Sequence, residues 1–186
     1  MSNGQATGGN RLDWYKKARS RLWSKERPDL SLVRPFPLLV GTFFYTGLSP
    51  IASGTVGSLA AAILYYLFPA LQNPAMLLMA CVIVLVAGIW SGGVIERQLK
   101  IQDPGIVVID EVLGQWIALA SWMYAGDLRY MIAAFLFFRI FDIIKPSPSR
   151  YFERRSGGTG IMLDDAIAGI YANIMAHLAM YVLHLF

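Results

Sequence analysis

Residues 74–94 run for about 20 residues without a charged side chain, long enough as a helix to cross the hydrocarbon core of a bilayer. Four other stretches are strongly apolar: residues 54–71 and 166–186, and, with charges toward their ends, residues 106–125 and 128–144. Only 15% of the chain is charged, 56% is hydrophobic, and the mean hydropathy is +0.50. Soluble domains carry about 25% charged residues, so these values point to an integral membrane protein. The expected fold is therefore all-α: a polytopic membrane helical bundle of about five spans. Residues 36–48 are apolar but too short to cross, and read as a re-entrant or interfacial segment. Residues 1–33 read as a basic, partly disordered N-terminal arm, with an interfacial helix over 11–27, and residues 34–186 as one membrane-embedded domain.

Basic residues are unevenly distributed. Residues 1–35 hold eight Lys or Arg against three acids. A basic arm beside apolar spans fits an anionic bilayer surface; no aromatic-interleaved groove or zinc-finger spacing points to nucleic acid. The segment 145–160 is also basic, with Lys145, Arg150, Arg154 and Arg155 against Glu153. Positive-inside counting then sets the N-terminus in the cytoplasm and alternates the five expected spans from there.

That alternation brings every acidic motif to the cytoplasmic side. Asp110 and Glu111 open the third apolar stretch, Asp142 and Lys145 close the fourth, and Asp164 and Asp165 open the fifth. Carboxylates at membrane depth cost roughly 2.5–3.5 kcal/mol each, so a group of five suggests function. Oxygen-only donors of this kind suit a hard divalent cation such as Mg2+. Arg139, Asp142 and Lys145 are spaced i, i+3, i+6 on one helix face, which sets two cations where phosphate oxygens would lie. Residues 54–58, GTVGS, supply small residues, Thr55 and Ser58 at a helix start, a setting that suits an anion.

Simpler readings exist for each motif. Asp110 and Glu111 would complement a helix dipole, one of the paired aspartates would cap a helix, and Arg139 with Asp142 would neutralise each other. None of them accounts for all five carboxylates at one end. His177 lies 12 residues past Asp165, about 18 Å along a helix, and is set aside as a ligand. No Walker loop and no G-x-S-x-G motif occurs. A CDP-alcohol phosphotransferase would gather its aspartates in one long motif, and a cation channel or transporter would spread its carboxylates over several depths. This chain shows neither pattern: its carboxylates are spread over three stretches yet gather at one side.

Four segments, GLSPIASGTVGSLAA, IVVIDEVLGQWIAL, FRIFDIIKPSPSRYFERR and GGTGIMLDDAIAG, together resemble the phosphatidylglycerophosphatase A family of bacterial membrane enzymes, in order and over about residues 41–168. One departure is Ser53, where the family usually has proline. The resemblance implies Mg2+-dependent dephosphorylation of the membrane lipid phosphatidylglycerophosphate to phosphatidylglycerol and phosphate. It implies an inner-membrane, multi-pass protein whose active site faces the cytoplasm. It also implies Asp110, Glu111, Asp142, Asp164 and Asp165 as the metal and catalytic set, with Arg139, Lys145, Thr55 and Ser58 binding the phosphate. Attack by water and attack by an aspartate both stay open, as does the number of metal ions.

Overall fold

The computed structural model describes residues 28–147 and 157–185. The expected interfacial helix over 11–27 and the basic residues Arg150, Arg154 and Arg155 lie outside them. Among the described residues there are six α-helices and no strand: α1 (Pro35–Gly41), α2 (Ser53–Leu67), α3 (Pro74–Leu99), α4 (Ile109–Leu119), α5 (Leu128–Ile144) and α6 (Gly158–Leu183).

Local chemistry sets the boundaries. Asn73 accepts hydrogen bonds from the N–H groups of Ala75 and Met76, and Pro74 follows it as the first helical residue, so α3 starts there. Asp127 caps α5 in the same way through Arg129 and Tyr130. Lys100 and Lys145 end α3 and α5 in the left-handed conformation, at φ 55° and 49°.

The expectation of about five membrane spans is not met. Among the described residues only α3 and α6, of 26 residues each, are both long and apolar enough to cross a membrane. At 1.5 Å per residue, the 15 residues of α2 reach about 22 Å, the 11 of α4 about 16 Å and the 17 of α5 about 26 Å. All three fall short of a hydrocarbon core of about 30 Å. The apolar stretch 106–125 is not one helix: α4 stops at Leu119, and Ser121 and Tyr124 belong to the following turn. Residues 36–48 fold into the seven-residue α1 and a short 3-10 turn, Thr46–Leu48, joined through left-handed Phe43, Phe44 and Tyr45.

α4 owes its hydrophobicity to the protein interior. Nine of its eleven residues are buried, and it touches α2, α3, α5 and α6. Its Trp116 indole donates to the Ala61 carbonyl of α2. The free carbonyls at its C-terminus are satisfied by other helices: Asn173 donates to Ile117, Ala118 and Ala120, and the Tyr130 hydroxyl donates to Ala118. His177 sits in this same far-end network, beside Tyr130 and Ser121.

The contact of α4 with α6 is glycine on glycine. A Cβ on Gly169 would run into the backbone carbonyl of Gly114, and one on Gly114 would crowd the backbone of Asp165 and the ring of Phe138. Residues four apart share a helix face. The Gly114–Gly169 contact therefore brings Asp110 and Asp165, each one turn earlier, face to face.

Outward faces stay apolar. Leu78, Val82, Ile83 and Val86 of α3, and Ile170, Ile174 and Leu178 of α6, are exposed. Together with the two long apolar helices, this is the surface of a membrane-associated protein.

Candidate active site

The starts of α2, α4 and α6 meet the end of α5 at one end of the bundle. The helices alternate in direction, so motifs far apart in sequence share that end even though not every helix is a span. Each carboxylate expected from the sequence is found there, but they divide into two groups.

Asp110, Glu111 and Asp165 form the compact group. One oxygen of each lies within 4.8 Å of the other two. Asp110 and Asp165 are buried and Glu111 is half-buried. Asp110 Oδ1 and Glu111 Oε2 are shut away from solvent with no hydrogen-bond partner among the described residues. Burial pushes the Asp110 carboxyl well above the usual carboxylate range, and the charges of Glu111 and Asp165 push it further. Burial also raises Glu111 to about 7, against the pull of its hydrogen bond with Asp110 and of the Arg139 charge. Carboxylates crowded into a low dielectric, with oxygens left unpaired, form a donor set that could hold a metal ion.

Asp142 and Asp164 form the second group, each paired with a basic side chain. Arg139 Nη1 lies 2.8 Å from Asp142 Oδ2, and Lys145 Nζ is bonded to Asp164 Oδ2. Burial pulls the Lys145 ammonium down, but the carboxylates of Asp165, Asp164 and Asp142 outweigh it and the net shift is upward. Lys145 thus stays charged while buried.

The start of α2 completes the wall. Arg139 Nη1 also donates to Ser58 Oγ at 3.2 Å, and Ser58 Oγ donates to the Gly54 carbonyl at 2.8 Å. Thr55 stands in the same first turn, half-buried. Gly54 itself is a clearance: a Cβ there would overlap the Glu111 carboxylate and lie 3.3 Å from Arg139 Nη1. Alanine normally stabilises a helix by about 1 kcal/mol over glycine. Gly54→Ala is nevertheless expected to cut phosphatase turnover at least tenfold, because Glu111 must move; steady-state kinetics of the purified variant check this.

Three neighbours lie outside the expected set of site residues. Asp103, at φ 50° in the loop before α4, is close enough for its charge to act on Asp110 and Glu111. Its hint in the sequence is only an acid shortly ahead of the Asp110-Glu111 pair. Glu96, near the end of α3, accepts from the Gly157 N–H at 2.9 Å and ties down the start of α6. In sequence it reads as an ordinary charge after an apolar run. Gln115, one turn after Glu111, is completely buried.

Residues 39–180 match the family described as Phosphatidylglycerophosphatase A. A Bacteroides thetaiotaomicron protein with the provisional name phosphatidylinositol-3-phosphatase is 41% identical over 159 residues, covering 79% of this chain and 95% of its own. The phosphatidylglycerophosphatase A of Escherichia coli K12 is 38% identical over 147 residues, or 76% of this chain and 81% of its own. That of Haemophilus influenzae is 38% identical over 154 residues, or 82% and 93%. No solved structure shows a significant match. With its paired cations and crowded carboxylates at one end of a membrane-associated helical bundle, the chain belongs to the phosphatidylglycerophosphatase A family and is a lipid phosphatase.

Proposed function

We propose that the chain hydrolyses the terminal phosphomonoester of phosphatidylglycerophosphate to phosphatidylglycerol and phosphate, and that it depends on Mg2+. The observation that carries this reading is the cluster of Asp110, Glu111 and Asp165, with two buried oxygens unpaired, beside the buried Lys145 and the half-buried Arg139. All donors are carboxylate oxygens, the set preferred by a hard cation that keeps part of its water shell. Asp110, Glu111 and Asp165 would hold the Mg2+, and when bound it supplies positive charge against the phosphoryl oxygens.

The remaining work falls to side chains of this chain. Arg139 and Lys145 bind the phosphate dianion, with Thr55 donating a hydrogen bond beside it and Ser58 orienting Arg139 from the phosphate-binding wall. Asp142 and Asp164 hold the two cations in place and keep them charged. Clustering these groups at the meeting of four helix ends fixes the phosphate before reaction, which is where much of phosphoryl-transfer catalysis lies. α3 ends and α6 begins at this end of the bundle, so both membrane-crossing helices would hold the site at one face. The basic N-terminal residues favour the cytoplasmic face of a bacterial inner membrane.

The 41% match to a protein named for phosphatidylinositol 3-phosphate makes that lipid the second substrate to try. Purified protein in detergent with Mg2+ is assayed for phosphate release from phosphatidylglycerophosphate, phosphatidylinositol 3-phosphate, phosphatidic acid and lysophosphatidic acid. The reading expects phosphatidylglycerophosphate to be at least tenfold faster by kcat/KM than any other. A preference for the inositol lipid transfers the site to that substrate, and CMP release from a CDP-lipid and an alcohol would make it a transferase.

A further inference from the structure

Gln115 is fully buried, and neither its amide oxygen nor its amide nitrogen has a hydrogen-bond partner among the described residues. A buried, unsatisfied polar group costs about 1–3 kcal/mol. Methionine or leucine at the same place would avoid that penalty at little change in volume. Other buried polar side chains near α4 show what a purely structural role looks like here: Trp116 reaches Ala61, and Tyr130 reaches Ala118. Within α4 the unpaired amide thus sides with Asp110 and Glu111, the other residues of the helix with an unpaired buried polar atom among the described residues.

Its neighbourhood is unpaired as well. Glu111 Oε2 and Arg139 Nε are buried without partners, and Glu111 lies four residues before Gln115 on the same helix face. The Cβ atoms of residues so related stand about 5–6 Å apart, close enough for their polar ends to share one water. Such a water has the two or more polar partners that a buried site requires.

Resting on the phosphatase reading above, we infer that Gln115 is a positioning residue that holds a buried water between its amide and the free Oε2 of Glu111. The amide N–H donates to the water, and the water donates to the carboxylate. Glu111 is thereby fixed from below, where only protein surrounds it, and its other oxygen is left for the site. Gln115 acts through Glu111 and touches neither metal nor phosphate.

Gln115→Met and Gln115→Leu are made in the full chain and measured on the lipid phosphate that the parent hydrolyses fastest. Both are expected to melt within a few degrees of the parent, with kcat reduced at least tenfold and KM within about twofold. Retained turnover, a loss smaller than tenfold, a loss carried by KM alone, or a kcat that falls only together with the melting temperature overturns the assignment. Two apolar variants are used so that one folding failure does not decide the question. An active parent with an active Gln115→Met removes Gln115 alone. A parent inactive on every lipid phosphate removes the phosphatase reading and this inference with it.

Discussion

Asp165→Asn is expected to lower phosphate release at least a hundredfold while leaving the metal-free protein as stable as the parent, or more so. The two effects have one cause. Asp165 completes a trio of carboxylates whose oxygens lie within 4.8 Å of one another. At an effective dielectric constant of 20, two full charges that close repel by about 3 kcal/mol, an upper bound because such groups also share protons. Without a cation the trio is therefore a load on the fold, and asparagine removes part of it at no change of shape. Recovery of 1–2 kcal/mol would raise the melting temperature by roughly 2–8 °C in a chain of this size. The activity falls because the cation loses a charged ligand. Thermal unfolding in the presence of chelator and steady-state phosphate release check the two halves separately. A variant both slower and clearly less stable would mean that Asp165 is a packing residue.

Lys145→Met is expected to have the opposite effect on stability. Lys145 and Asp164 are buried as an ion pair, and Lys145 also faces Asp165 and Asp142. Removing one partner of a buried pair leaves the other charge uncompensated, at about 3–5 kcal/mol. The melting temperature should drop by roughly 6–20 °C. Phosphate release should be abolished. The double variant Lys145→Met with Asp164→Asn is expected to regain most of the lost stability and none of the activity, since a neutral pair packs well but binds no anion. A double-mutant cycle with coupling under about 1 kcal/mol would show that the pair contributes little to the fold.

The contrast between these two variants follows from what the sequence hides. The five carboxylates are visible as acids in apolar surroundings, and their meeting at one end follows from helices that alternate in direction. Arg139 with Asp142 is visible too, because i, i+3 spacing brings them together on any helix. The pairing of Lys145 with Asp164 depends on how α5 lies against α6, which no local pattern encodes. Neither does local pattern reveal that Gly114 and Gly169 touch, although that contact sets Asp110 against Asp165. Gly54 reads as a small residue at a helix start until the Glu111 carboxylate is found where its Cβ would be.

Membrane topology misleads for a related reason. Hydropathy cannot distinguish a segment that faces lipid from one that faces protein. α4 is apolar because four helices surround it, and at 11 residues it crosses nothing. α2 and α5 likewise present one face to the core and are shorter than a bilayer. The helices still alternate in direction, which is why the acidic residues meet at one end of a scaffold with fewer crossings.

The central claim is that Asp110, Glu111 and Asp165 hold the divalent cation on which catalysis depends. It is tested most directly by calorimetric titration of chelator-stripped protein with Mg2+, following phosphate release from phosphatidylglycerophosphate at each addition. The account predicts saturable binding, activity that returns in step with occupancy, and affinity at least tenfold weaker in Asp165→Asn. Full activity after stripping, or equal Mg2+ affinity in the parent and Asp165→Asn, would contradict it.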